Sequence, residues 1–246
     1  MRAVQQLADG ARALGLSLTD DQLSAFQIYY ETLIAWNARV NLTRITDYEA
    51  VQVKHFLDSL SCLAAVERCR APLSRLVGLR MIDVGSGAGF PGLPLKIACP
   101  ALRLTLLEAT GKKAAFLQTL VERLALEGVT VVHARAEEAG QDPAHREGYD
   151  LALARALAEM AALAELTLPL VQVGGLVIAQ KGEDPSAEVE AARRAIQALG
   201  GRTREILPAT VPGLEAARHL VVLEKVSATP SPYPRRPGIP AKRPLR

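Results

Sequence analysis

Apolar residues recur at helical spacing up to about residue 70, and beyond residue 80 they gather into short β-branched or leucine-rich runs. In the first stretch Leu23, Phe26, Tyr30, Leu33 and Trp36 fall three or four apart, which stripes one face of a helix. Thr19 with Gln22 three residues on matches a capping box, so a long amphipathic helix begins there. Asp47 is placed to cap a further helix carrying Val51, His55, Leu57, Leu60 and Leu63, which ends in the region of Pro72. Runs at 80–84, 103–108, 129–134, 150–154 and 176–180 then alternate with helical stretches near 91–98, 112–127, 157–170 and 184–199. Such alternation predicts a parallel sheet flanked by helices. Gly200 and Gly201 stop the last helix. Runs at 203–207 and 219–225, separated by Pro208, Pro212 and Gly213, predict an antiparallel edge. The fold class is α/β and Rossmann-like: a mostly parallel seven-stranded sheet with an antiparallel edge and an N-terminal helical extension.

Three parts follow: a helical segment over 1–72, an α/β domain over 73–226 and a tail over 227–246. The tail holds Pro230, Pro232, Pro234, Pro237, Pro240 and Pro244, a spacing that predicts an extended arm without helix or central strand. Charge changes the view of that arm. The chain carries +3, yet the tail alone holds Arg235, Arg236, Lys242, Arg243 and Arg246 and no acid, leaving −2 for the remainder. A concentrated basic tail points either to a polyanion contact or to a solvated cationic end. No run approaches the roughly 18 apolar residues that cross a bilayer, and no signal peptide opens the chain, so a cytoplasmic, membrane-free protein is expected. Cys62, Cys69 and Cys99 include no Cys-x-x-Cys pair, so neither a disulfide framework nor a metal is expected.

Candidate chemistry begins at Asp83-Val84-Gly85-Ser86-Gly87-Ala88-Gly89, a glycine-rich turn between a predicted strand and helix. Such a turn lets backbone approach a ligand and aims amides at it. Alone it also suits a dinucleotide, because Gly87, Gly89 and Gly92 satisfy Gly-x-Gly-x-x-Gly. Its company favours S-adenosylmethionine. Asp83 can face the methionine ammonium while the Gly85 and Gly87 amides serve the carboxylate. Glu108, ending the second strand, is placed for both ribose hydroxyls, and Ala136-Glu137 after the third strand for the adenine amine. After the fourth strand, where exocyclic-amine methylation uses an Asp/Asn-Pro-Pro-aromatic tetrapeptide, the chain reads Ala154-Arg155-Ala156-Leu157. No cysteine follows for attack on a pyrimidine ring. A ring nitrogen such as guanine N7 needs alignment and no base.

Asn37-Ala38-Arg39-Val40-Asn41-Leu42-Thr43, His55-Phe56-Leu57-Asp58-Ser59-Leu60, the turn continuing as Gly89-Phe90-Pro91-Gly92-Leu93-Pro94, and the tail from Tyr233 to Leu245 occur in order from about residue 20 to the C-terminus. Together they resemble the bacterial 16S ribosomal RNA guanine-N7 methyltransferase family. The resemblance implies methylation of guanine N7 in the decoding-region loop, with S-adenosylmethionine as cofactor and streptomycin sensitivity as the associated phenotype. It implies 16S rRNA or the small ribosomal subunit as partner, with no DNA partner and a monomeric chain. By position it implies cofactor contacts at Gly85, Phe90, Glu108, Ala109, Thr110, Ala136, Glu137 and Arg155, which join Asp83, Gly87 and Gly89.

Individual roles are argued one by one. Asn37 and Asn41, four apart, would share a helical face and read a guanine edge or ribose, the alternative being polar capping of a helix end. His55 beside Lys54 suits an RNA phosphate or base, or is a satisfied helix histidine. Phe90 packs on the cofactor or in the core. Arg155 projects from the fourth strand into the crevice; with Asn41 and His55 it is a candidate for positioning the guanine. Lys181, ending the fifth strand, and Lys242 are phosphate candidates. Tyr233 among Arg235 and Arg236 offers a stacking face beside cations. From the residues alone a small-molecule methyltransferase, an NAD oxidoreductase and a nucleotide-binding RNA chaperone stay open.

Overall fold

The computed structural model describes residues 4–69 and 77–245. Seven strands, β1 (Arg80–Val84), β2 (Arg103–Glu108), β3 (Val129–His133), β4 (Tyr149–Arg155), β5 (Val171–Lys181), β6 (Gly201–Pro208) and β7 (His219–Lys225), form one sheet in the order β3-β2-β1-β4-β5-β7-β6. β1 to β5 run parallel, and β7 lies antiparallel to both β5 and β6. Chain order reverses between β1 and β4, which opens a crevice at their carboxyl ends.

The N-terminal helices are α1 (Gln5–Ala13), α2 (Asp20–Asn37), α3 (Tyr48–Val51), α4 (Asp58–Leu60) and α5 (Cys62–Cys69). Both bonds of the capping box are made at the start of α2, and the Gln22 amide also donates to the carbonyls of Ile97 and Ala98. Asp47 caps α3 through the Ala50 amide at 2.8 Å. Between α3 and α4 the helix widens into a π-helical turn over Gln52–Leu57, a device that recurs at functional sites. The helix end expected near Pro72 and the boundary at 72/73 lie outside the described residues.

Between strands run α6 (Gly92–Ala98), α7 (Gly111–Arg123), α8 (Ala136–Ala139), α9 (Met160–Thr167), α10 (Ser186–Ala191) and α11 (Arg193–Ala198). The single helices expected over 157–170 and 184–199 are shorter: α9 gives way to a 3-10 turn at Leu168–Leu170 containing Pro169, and the second breaks into α10 and α11.

Period-two alternation along β1 divides the core. Met81 joins Leu7, Phe26, Tyr29, Leu33 and Phe56 of the N-terminal helices, while Ile82 and Val84 join Leu163, Val177 and Ile196 on the other face. The helical segment thus shares one core with the sheet. Each large apolar side chain it buries stabilises that docking by roughly 1.5–3 kcal/mol. Asp83, two residues from Met81, faces the same side.

The tail departs from the extended arm. It lies against the body and ends in a short helix, α12 (Ile239–Lys242), packed on α9. Pro240 sits in its first turn, where an N–H would have no acceptor, so this proline does not break it.

Candidate cofactor and RNA site

Gly85, Gly87 and Gly89 all adopt positive φ, +73°, +58° and +92°. Their surroundings differ. A Cβ at Gly89 would lie 2.6 Å from Leu93 Cδ1 and from Tyr29 Oη, so packing requires this glycine. A Cβ at Gly87 would meet only the Gly85 carbonyl, at 3.8 Å, leaving open space before it. The amide roles expected at this turn are corrected. Gly85 N–H donates to the Leu107 carbonyl (2.8 Å) and Gly87 N–H to Glu108 Oε2 (2.9 Å), because the turn must satisfy its own backbone. Glu108 Oε1 accepts from Thr110 N–H at 2.7 Å, so this buried carboxylate braces the turn against the start of α7. Each oxygen keeps a second lone pair for a ligand hydroxyl.

Asp83 is fully buried. Its Oδ2 accepts from Gly92 N–H at 3.0 Å, while Oδ1 has no hydrogen-bond partner. Burial pushes its pKa up to about 7. A buried acceptor without a donor costs stability, and a cationic donor reaching Oδ1 would remove that cost. The bare backbone at Gly87 and the orphaned oxygen at Asp83 therefore fit a ligand with an ammonium group.

Two cavities flank the crevice. The smaller, ≈ 200 Å³, is lined by Gly85, Ala109, Ala136, Glu137, Leu157 and Gly238, among others. The larger, ≈ 440 Å³, is lined by Lys54, His55, Asp58, Arg155, Gln180 and Arg218 among its walls. Leu157 and Ala158 line both. Beside them Ala156 holds φ at +51°, an uncommon conformation for a residue with a Cβ.

In the larger cavity Asp58 lies between two arginines: Oδ2 accepts from Arg155 (3.2 Å) and Oδ1 from Arg218 (2.8 Å), with the Asp58 side chain 3% exposed. Arg155 also donates to the Lys54 carbonyl and to His55 Nδ1, both at 3.4 Å, and its guanidinium lies 4.9 Å from the Phe90 ring centre. With a donor on Nδ1, the His55 proton is assigned to Nε2, which donates to Thr43 Oγ1 at 2.8 Å. Burial, aided by the nearby Arg155 charge, lowers the His55 pKa to about 4. His55 is neutral at physiological pH. It aligns Arg155 and stacks on Phe90 at 4.5 Å.

Residues 22–221 match the family model GidB, rRNA small subunit methyltransferase G. The chain belongs to this family. A ribosomal RNA small subunit methyltransferase G from Dehalococcoides mccartyi (strain CBDB1) is 50% identical, covering 98% of this chain and 100% of the relative. Its counterpart from Roseiflexus sp. (strain RS-1) is 52% identical, again over 98% and 100%. A crystal structure of an MtNAS mutant in complex with S-adenosylmethionine superposes with TM-score 0.53 at 19% identity, covering 83% of this chain and 74% of that one, a likeness of fold. Sheet order and this likeness make the domain a Rossmann-like class I methyltransferase.

Against the family frame, the residues singled out from the sequence fall into groups. Gly85, Ala109, Ala136 and Glu137 converge on the smaller cavity; Arg155, His55, Lys54 and Lys181 converge on the larger. Thr110 is exposed at the start of α7. Phe90 lines neither cavity: it is 5% exposed, stacked on Tyr29 and His55, and belongs to the core. Asn37 and Asn41 do not share a helical face, because α2 ends at Asn37. Asn37 instead ties down the following loop, accepting from the amides of Leu42 and Thr43 and donating to the Thr43 carbonyl, while Asn41 is exposed. Lys181 is paired with Glu188 at 2.8 Å and with the Ala158 carbonyl, so its charge is already matched. Arg235 is held by the fully buried Glu165, and Tyr233 is half-buried against the second core cluster. Lys54, Arg236 and Lys242 are exposed.

Three cavity residues escaped the sequence reading: Asp58, Gln180 and Arg218. Asp58 carried a signal, an acid within an otherwise apolar helical stretch. Arg218, in a turn-rich loop, carried none.

Proposed function

We propose that this family member transfers the methyl group of S-adenosylmethionine to N7 of a guanine in 16S ribosomal RNA, with the nucleoside in the smaller cavity and the guanine in the larger. The observation that carries this reading is the shared Leu157–Ala158 wall, which sets the two cavities against each other. Bound there, the cofactor supplies an electrophilic sulfonium methyl group. Asp83 Oδ1 accepts from its ammonium, Glu108 from the ribose hydroxyls, and Ala136 with Glu137 meets the adenine; Gly87 leaves room for close approach.

Guanine N7 carries its own lone pair, so the chain needs no general base. The larger cavity offers none: neutral His55 has both ring nitrogens engaged, and Asp58 is held between two guanidinium groups. Its residues orient. Arg155 and Arg218 donate to guanine O6 or a neighbouring phosphate, and Gln180, whose buried Oε1 has no partner, accepts from the guanine N1–H or amino group. Alignment of this kind removes roughly 7–11 kcal/mol of barrier in favourable cases. Lys54, Asn41, Arg236 and Lys242 present exposed polar groups to the RNA around it. The proposed partner is 16S rRNA or the small subunit, met in the cytoplasm by a monomer, without DNA or membrane. Among the described residues no helix is long and apolar enough to cross a membrane. In this reading the parts 1–72, 73–226 and 227–246 support the turn, hold the site and clamp the RNA.

The test is transfer of labelled methyl to naked 16S RNA, an assembly intermediate and whole small subunits from a strain lacking the modification, followed by mapping of the base. One methyl at guanine N7 is expected. Incorporation at another atom, or turnover without RNA, overturns the proposal.

A further inference from the structure

We infer that the C-terminal tail is part of the cofactor site: Gly238 and Ala241 close the smaller cavity, and the Arg235–Glu165 ion pair is the latch that holds them there. The inference rests on the reading of that cavity as the nucleoside pocket. Gly238 and Ala241 line the same ≈ 200 Å³ space as Gly85, Ala109 and Glu137. Whole small-molecule sites run to about 300–1,000 Å³, so this enclosed space suits one end of a ligand. Gly238 N–H donates to Glu137 Oε1 at 2.7 Å, which fixes the carboxylate assigned to adenine. Gly238 holds φ at +81° with nothing within 4 Å of a Cβ built on it; its glycine answers to conformation rather than space.

The latch is specific. Arg235 Nε and Nη2 meet Glu165 Oε1 and Oε2 at 2.8 and 2.6 Å, the Arg235 amide adds a third bond at 2.8 Å, and the Glu165 side chain is 0% exposed. A bidentate guanidinium matches a carboxylate in geometry as well as charge, and removing it strands a buried anion. Arg235 Nη2 also donates to the Arg243 carbonyl, so the latch grips both ends of α12. Upstream, prolines leave carbonyls without neighbouring N–H groups, and the body supplies donors: Arg146 to Thr229 and Tyr233, Gln141 to Ser231 and Pro234. Pro234 packs so close that a Cβ at Gly140 would lie 2.7 Å from its Cγ.

The experiment is calorimetric titration of the full-length, RNA-free chain with S-adenosylmethionine, comparing Arg235→Ala, Arg235→Lys, Ala241→Trp and, as reference, Glu108→Ala. Ala241→Trp removes no hydrogen bond and fills the cavity from an exposed position, so it decides the matter even where Arg235→Ala fails to fold. Weakening by tenfold or more is expected for Arg235→Ala and Ala241→Trp, with partial recovery in Arg235→Lys. In methyl transfer at saturating RNA, KM for the cofactor rises while kcat changes by less than threefold. Affinities within twofold of the parent in the tail variants, with Glu108→Ala weakened, overturn the tail's role and leave the cavity reading intact. An unchanged Glu108→Ala overturns that reading and the inference with it.

Discussion

Tyr29 Oη donates to the carbonyl of Ala88 at 2.6 Å, fastening helix α2 to the glycine turn after β1. The two residues are 59 apart in sequence, and Tyr29 is fully buried. This bond, with the stack of Tyr29 on Phe90, makes the N-terminal helices a support for the crevice. Tyr29→Phe keeps the ring and strands the carbonyl. A loss of about 1–3 kcal/mol in folding stability is expected in denaturant unfolding, with weaker S-adenosylmethionine binding by calorimetry.

Asp83 gives cofactor affinity a pH dependence of known sign. Its pKa lies near 7 in the ligand-free chain because it is buried, and an ammonium on Oδ1 favours the ionised form. Affinity is therefore constant above about pH 7 and falls as pH drops below it, approaching tenfold per unit. Calorimetry from pH 5.5 to 8.5 reads this directly, and Asp83→Asn flattens the profile at a weaker affinity. His55 adds no limb to the rate profile there, because its pKa is held at about 4. His55→Gln lowers kcat/KM without changing the profile's shape between pH 6 and 8.

Asp58 spaces two arginines, and its removal leaves two guanidinium groups facing each other. Asp58→Asn is expected to lower kcat/KM on RNA at least tenfold. Arg218→Ala lowers it similarly, and both leave cofactor affinity within threefold. Single-turnover rates at saturating cofactor check the pair; equal loss of cofactor binding in either variant would place Asp58 in the wrong cavity.

Exposed tail cations divide from buried ones. Arg236→Ala and Lys242→Ala are each expected to weaken RNA binding and reduce the salt slope by about 1, with cofactor affinity unchanged. Filter binding across a salt series measures both. Arg235 behaves differently, since its charge is spent on Glu165.

The alternation of strands and helices was legible because side-chain period and turn residues are local. β1, β2 and β7 span the residues their apolar runs predict, and the Thr19–Gln22 capping box closes over three residues. The glycine turn and the acids ending neighbouring strands were legible for the same reason. Charged residues were less so. Lys181, Arg235 and Asn37 looked available to RNA in the sequence, yet each is occupied by a partner that only folding brings near.

By itself, the sequence determined the sheet, the turn and the reaction class, since a 3.6- or two-residue period and a capping bond need only near neighbours. Tertiary structure alone decided which cations stay free, that Asp58 joins Arg218 across 160 residues, and that the basic tail closes a cavity beside Glu137. Those pairings depend on strand order and on the desolvation of particular charges, and neither is written in local spacing.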